Sequence, residues 1–420
     1  MRAIGRALAM MLAMMAMTGP ARAAEPEASY EATFDAAWRT VGEAFYDPGF
    51  HGADWTALRD RYRPRLAKVR DEAALQRLIG AMLAELKSSH LHISRASPER
   101  GSAGLGARIE PVGGVRTVLE VAPLSDARRQ GLRPGDQLPR GMAGVAGPLG
   151  SIAEVEVRRC DGSAARLSIR RERAFWPPAR PGFAWSRIAV RPGLALGYLK
   201  IDRFDDGAAG LADQAMAELG DTQELVIDLR HNSGGNMSAL RLASYFGAAG
   251  EAPAVALFSR AYLEGLGRAP TLEDIRRGPK VLGAYTDEAV GRAVQENGGA
   301  AVFHLEDVGQ RRYRGPVVVL IGPETASAAE GFAWVMKQSP NVRFVGEASA
   351  GALLSGERFE LPGGWVLTVP VFGVWRADGE HLGDRAVQPD LPAPLTREDL
   401  CAGRDPGVAR ALELLAPPRR

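Results

Sequence analysis

The chain has 420 residues, a length that calls for two or three domains and not one ordinary compact core. Its 46% hydrophobic and 24% charged residues are globular proportions and exclude a disordered or fibrous chain. A formal net charge of +2, with Lys and Arg scattered throughout, offers no electrostatic footprint for nucleic acid, so no nucleic-acid partner is expected.

The first segment reads M-R-A-I-G-R, then an apolar run from Ala7 to Met17, then a small-residue A-R-A site ending at Ala23. This is the layout of a signal peptide over residues 1–23. The apolar run is shorter than the roughly 20 residues that cross a bilayer, and no later stretch is long enough. A periplasmic or secreted protein without a membrane span is expected. Cys160 and Cys401 are the two cysteines, so they form one bridge in an oxidising compartment or remain two free thiols. With no Cys-x-x-Cys and no His-Glu-x-x-His, neither a metal nor a cofactor is expected.

Over residues 24–100 the apolar positions recur at helical spacing, as in Phe34, Trp38, Val41 and Phe45, then Leu75, Leu78, Ile79, Met82 and Leu83. This predicts an N-terminal helical bundle. The breakers in F-Y-D-P-G-F-H-G-A-D-W separate two of its helices, with Asp54 or Thr56 placed to cap the second.

From 101 to about 175 the texture changes to short β-branched runs between Gly and Pro, as in V-R-T-V-L-E-V and A-R-L-S-I-R-R. A small β-rich domain follows. Its G-L-G-A-R-I-E start and the phrase Q-G-L-R-P-G-D-Q-L resemble a PDZ domain, in which backbone N–H groups of a Gly-rich loop hold a peptide carboxylate. Gly104, Leu105 and Gly106 occupy that place here. Alternatively the module is a spacer of PDZ shape that takes no ligand.

After the joint F-W-P-P-A-R-P, residues 176–415 alternate strands with helices: L-A-L-G-Y-L-K-I, a helix near Ala208 to Leu219, E-L-V-I-D-L-R, and P-V-V-V-L-I-G. That alternation predicts an α/β core, and the whole chain is read as multidomain α+β. The Gly-rich stretch from about Gly250 to Arg314 shows weak periodicity and reads as a lid or insertion.

The chemistry concentrates in P-V-V-V-L-I-G-P-E-T-A-S-A-A-E-G-F, where a buried strand ends and a helix begins near Ser327. Such a junction presents a hydroxyl beside unpaired helix N–H groups that can stabilise an oxyanion. Taken alone, Ser327 or Thr325 is simply a helix cap. The phrase D-L-R-H-N-S-G-G-N ends another strand, and its Gly234 and Gly235 permit close backbone approach; Asp228 and Arg230 there form a structural ion pair or flank a functional turn.

Together, T-A-S-A-A-E, D-L-R-H-N-S-G-G and V-G-E-A-S-A-G resemble the core of the C-terminal-processing (tail-specific) serine proteases, in their tricorn-like branch. The resemblance covers nearly the whole mature chain and implies a crotonase-like sheet in the core. It makes Ser327 the nucleophile and the backbone N–H groups of Ala328 and Gly234 the oxyanion hole, with Gly235 counted among its residues. One branch of the family uses a Lys base after V-G-E, but Ala352 holds that place here. Lys337 is about 15 Å along the helix from Ser327 and is a poor substitute.

The tricorn-like branch uses a Ser-His pair, which L-K-S-S-H-L-H supplies as Ser89 and His90. A two-histidine metal site with His92 is the alternative use of that run. The branch completes its tetrad with a Glu at the place held here by Gly383. Asp384 or Glu380 can orient the relay instead, or neither does. The resemblance thus implies a secreted serine endopeptidase acting on peptides or unfolded proteins, including C-terminal tails, through an acyl-enzyme. The alternative is a binding protein on the same fold with little turnover.

Overall fold

The N-terminal helices begin where a short oxygen-bearing side chain can take an orphan N–H. Ser29 accepts from Ala32 ahead of α1 (Tyr30–Ala44), Asp54 from Ala57 ahead of α2 (Trp55–Tyr62), and Asp71 from Ala74 ahead of α3 (Glu72–Ala84). The computed structural model describes residues 29–95, 102–173, 182–191, 194–247, 251–354 and 356–415. The signal-peptide segment and the Pro-rich joint lie outside them. The buried faces of α1 (Phe34, Ala37, Val41) and α3 (Leu75, Ile79, Met82) belong to one apolar cluster that continues into the sheets of the core. After α3 the chain turns into β1 (His92–Arg95).

Residues 102–173 form a small β-rich module with its own buried cluster, including Leu105, Ile109, Val118, Val157 and Ile169. Two hairpins build it, β2 (Ala107–Val112) with β3 (Val115–Val121) and β4 (Ile152–Arg158) with β5 (Ala164–Arg170). Gln137 bridges to Thr117 of one and Arg158 of the other.

The core then lays down β6 (Phe183–Arg191), β7 (Leu194–Ile201), α4 (Ala208–Leu219) and β8 (Glu224–Asp228). Next come β9 (Ala252–Ser259), β10 (Lys280–Val281), α5 (Asp287–Glu296), β11 (Ala300–Leu305), β12 (Val317–Ile321), α6 (Ala328–Met336) and β13 (Val342–Gly346). The last strands are β14 (Gly356–Leu361), β15 (Trp365–Pro370), β16 (Phe372–Arg376) and β17 (Leu391–Pro392), followed by α7 (Arg397–Ala402) and α8 (Pro406–Leu415).

One six-stranded sheet has the order β17-β13-β12-β8-β7-β6, parallel except for β6. Its central strands β8 and β12 are buried on both faces, as unbroken aliphatic runs require. A second sheet has the order β10-β11-β9-β16, and a third, β1-β15-β14, takes the strand after α3 into the core. The stretch from 250 to 314 is therefore not a lid. It supplies three of the four strands of the second sheet, and β9 and β11 are buried along most of their length.

Cys160, just past β4 in the small module, is disulfide-bonded to Cys401 in α7, 241 residues away, so the two-thiol alternative does not hold. Beside it, the Arg397 guanidinium donates to the carbonyls of Gly135, Arg158 and Arg159, so the module is held to α7 by a covalent and a polar anchor. Replacing Cys401 by Ser is expected to raise amide hydrogen exchange across residues 102–173 while leaving β8 and β12 protected, as checked by mass spectrometry.

Candidate active site

Strand β12 delivers the chain to the turn Gly322–Ala326, which Thr325 locks: its hydroxyl donates to Leu229 O and accepts from Gly322 N–H. Thr325 is thus part of the turn and leaves the head of α6 to Ser327. Ser327 has φ +53 and ψ −124, a conformation that L-residues adopt only under constraint. The constraint is Glu330, fully buried one turn on. Its carboxylate accepts from Ser349 Oγ, from Gly351 N–H (2.7 Å), from Ala352 N–H (2.7 Å) and from Ser327 N–H (3.3 Å). Burial pushes the Glu330 carboxyl up, against the opposing pull of these donors. Glu330 escaped the sequence reading, although the S-x-x-E spacing of Ser327 to Glu330 is a capping-box signature.

The backbone carbonyl of Ala352 accepts the Ser327 N–H at 2.9 Å. Lys337 points away from the site, to Asp390 at 3.0 Å and to the face of Phe344.

The glycine turn after β8 presses against the serine. A Cβ on Gly234 would stand 2.6 Å from Ser327 Cβ, and φ is +111 there, so the position admits only glycine. The Gly234 N–H donates to Asn232 Oδ1 at 2.8 Å and is already engaged. Among the described residues, no hydrogen bond leaves the N–H of Gly235 or of Ala328 for protein, and both residues line the cavity that holds Ser327. Asp228 and Arg230 form an ion pair completed by Asp405, a structural use.

Ser89 and His90 follow α3, and His90 also sits at positive φ (+53). Ser89 N–H donates to Asp384 Oδ2 at 2.7 Å, and its Oγ–H donates to Asp384 Oδ1. With that proton committed, Ser89 Oγ is left to accept from His90 Nδ1, 3.2 Å away. His90 therefore carries its proton on Nδ1 and offers the Nε2 lone pair. Burial pushes its basicity down; the Asp384 charge opposes this and His92 adds to it.

Glu380 is turned elsewhere, paired with Arg376 and Arg385, and makes no contact with Ser89. His92 lies in β1 opposite Thr368, and among the described residues no cluster of three metal-ligating side chains exists.

The cavity at Ser327 measures about 440 Å³ and is walled by Met237, Leu240, Val255, Leu257, Phe332 and Phe372, among others. Gly356 lines it too and abuts the histidine segment: a Cβ there would lie 3.0 Å from His90 O. No hydrogen bond joins Ser327 Oγ to the His90 ring among the described residues.

The small module reaches the rim. Arg108 of β2 pairs with Glu324, three residues before Ser327, and donates to His231 Nδ1 at 2.8 Å. Gly104, Leu105 and Gly106 lie elsewhere: Gly104 bridges Glu172, Leu105 is buried in the module, and the Gly106 carbonyl accepts from Ala122. None of the three lines the cavity at Ser327. No helix among the described residues is long and apolar enough to cross a membrane.

Comparison with known proteins gives consistent matches. Residues 195–393 match the family model for peptidase family S41, and residues 26–84 match that of the Tricorn protease C1 domain. A putative tricorn protease homolog 2 of Streptomyces coelicolor is 26% identical over 437 residues, covering 93% of this chain and 33% of that protein. The chain thus spans about a third of the length of the Streptomyces tricorn relatives it matches. The carboxyl-terminal-processing protease of Picosynechococcus sp. is 24% identical over 386 residues, covering 85% of this chain and 82% of that protein. In fold, the chain is similar to a photosystem II D1 C-terminal processing protease, with a TM-score of 0.55 at 22% identity, covering 93% of this chain and 98% of that one.

The strained turn makes a thermodynamic prediction. Ser327→Gly relieves a backbone cost of roughly 1–3 kcal/mol that Ser327→Ala retains, so the Gly variant should melt above the Ala variant in calorimetry.

Proposed function

We propose, from the premise that this chain is a member of the tail-specific (C-terminal-processing) protease family, that it is a secreted serine endopeptidase with Ser327 as nucleophile. As a serine-type peptidase it would take peptides or proteins as substrates, by the steps below. The observation that carries it is the directed chain Asp384–Ser89–His90, which leaves a basic nitrogen on the segment abutting the Ser327 cavity.

In the first step a peptide carbonyl enters the cavity mouth, and His90 Nε2 closes on Ser327 Oγ, a contact that tightens when substrate is bound. Ser327 Oγ attacks the carbonyl carbon as its proton passes to His90. The imidazolium is stabilised through Ser89 by the Asp384 carboxylate. The N–H groups of Ala328 and Gly235 hold the oxyanion, with Gly234 shaping the turn and donating to Asn232. His90 then protonates the leaving amine, and water repeats the sequence on the acyl-enzyme. Here Asp384 stands in for the Glu expected at Gly383. The apolar cavity suits an apolar side chain next to the scissile bond.

Export is supported by the Cys160–Cys401 bridge, which an oxidising compartment maintains. A PDZ-like module at 101–175, with its Gly104–Gly106 loop, would present a substrate tail; the names of the C-terminal-processing relatives support a tail as target. No cofactor enters the scheme.

Ser327→Ala is expected to abolish hydrolysis of a fluorogenic peptide with an apolar residue before the scissile bond, at unchanged far-UV circular dichroism. Asp384→Asn should lower kcat by roughly 100-fold or more with KM little changed, whereas Glu380→Gln stays near wild type in the same assay. Equal losses in both variants would remove Asp384 from its role.

The pH profile gives an independent check. The base works only when His90 is neutral, so kcat/KM rises with pH through the His90 pKa, which burial holds below the ordinary imidazole value of 6.5. The acid limb should therefore centre below 6.5. It should move further to acid in Asp384→Asn, because the carboxylate that favours the imidazolium is gone.

A further inference from the structure

Behind the relay lies a second polar chain that the mechanism does not use. Tyr46 is 2% exposed; its N–H donates to Pro370 O at 2.9 Å. Its ring packs against Gly373, where a Cβ would come 2.6 Å from Tyr46 Cε2. The hydroxyl meets two imidazoles, His51 Nε2 at 2.8 Å and His381 Nε2 at 3.3 Å.

Directions follow from the far end. His51 Nδ1 is 2.9 Å from Leu86 O, an atom that only accepts, so Nδ1 carries a proton and, in the neutral ring, Nε2 is the acceptor. The Tyr46 hydroxyl then donates to His51 and accepts from His381 Nε2–H. The chain runs from His381 through Tyr46 and His51 to the Leu86 carbonyl.

Its two ends have particular addresses. His381 stands three residues before Asp384, and Leu86 stands three residues before Ser89. The chain thus ties the hairpin that carries the carboxylate to the turn that carries the Ser-His pair. Backbone strain gathers on the same two segments: of the five non-glycine residues at positive φ among those described, Phe50, His51, Lys87 and His90 lie on them, and Ser327 is the fifth. Positions so strained persist where surrounding contacts over-determine them, and the Tyr46 chain supplies such contacts at His51 and next to Lys87.

We propose that Tyr46 is a positioning residue for catalysis, its hydroxyl clamping His381 to His51 so that Asp384 and Ser89 meet in register. The proposal rests on the Asp384–Ser89–His90 relay reading above. Tyr46 touches neither substrate nor Ser327; it acts through the spacing of two loops.

The test uses the full chain. Tyr46→Phe keeps the ring and removes both hydrogen bonds, and kcat should fall about 10- to 100-fold with KM within about twofold, as for a small misplacement of catalytic groups. Combined with Asp384→Asn, the loss should not multiply, because the relay being aligned is already broken. His381→Gln, which can present an N–H near the Nε2 position, should keep most of kcat, whereas His381→Leu should behave like Tyr46→Phe.

Unimpaired Tyr46→Phe and His381→Leu, or losses that multiply fully with Asp384→Asn, would overturn the proposal. If Tyr46→Phe does not fold, the contrast between the two His381 variants decides, and equal activity in both overturns it. An unimpaired Asp384→Asn would overturn the relay reading and this proposal with it. A crippled Asp384→Asn beside an unimpaired Tyr46→Phe overturns this proposal alone.

Discussion

The Asp384 carboxylate accepts both the N–H and the Oγ–H of Ser89, joining parts of the chain 295 residues apart. Because the Ser89 proton is spoken for, its oxygen must take the proton on His90 Nδ1, and the imidazole is left with one basic nitrogen. One carboxylate thereby sets the polarity of the whole proposed relay. A longer acid at Gly383 would meet two obstacles, a φ of +47 and the His381 ring, whose Cε1 would lie 3.1 Å from an added Cβ. Supplying the charge from the next residue, on a shorter side chain, suits that turn.

A second carboxylate sets the proposed nucleophile. Glu330 gathers donors from Ser327, Ser349, Gly351 and Ala352, and so ties the left-handed turn at Ser327 to the loop after β13. Four donors converging on two oxygens require an acceptor-only side chain, which Gln is not. The small module bears on the same region through Arg108, whose guanidinium lies between Glu324 and His231 on the two turns that flank the serine. With the Cys160–Cys401 bridge at its other side, the module is fixed at two points and cannot shift without disturbing these turns.

Much of this was legible in the sequence, for local reasons. Ala208–Leu219 reads as a helix and E-L-V-I-D as a strand because their apolar spacing is unambiguous, and the strand-turn-helix around Ser327 announces itself by V-V-V-L-I-G followed by T-A-S-A-A-E. The second sheet was not legible. Strands β9 and β11, A-P-A-V-A-L-F-S and A-A-V-F-H-L, are covered on both faces, so they lack the alternation that marks a half-exposed strand, and their alanines blur the helix-strand distinction. The choice between Asp384 and Glu380 depends on which side chain the hairpin after β16 turns inward, and Arg376 and Arg385 draw Glu380 outward. The engagement of the Gly234 N–H by Asn232 and the meeting of Tyr46, His51 and His381 are likewise three-dimensional facts that spacing alone does not encode.

The most direct measurement is the rate at which a fluorophosphonate probe phosphonylates the protein with loss of fluoride, followed by intact mass and located by peptide mapping, in wild type and in His90→Ala. The account predicts a single adduct, on Ser327, formed at least about 100-fold more slowly when His90 is absent. Modification at another residue, or labelling of Ser327 at an undiminished rate in His90→Ala, would contradict it.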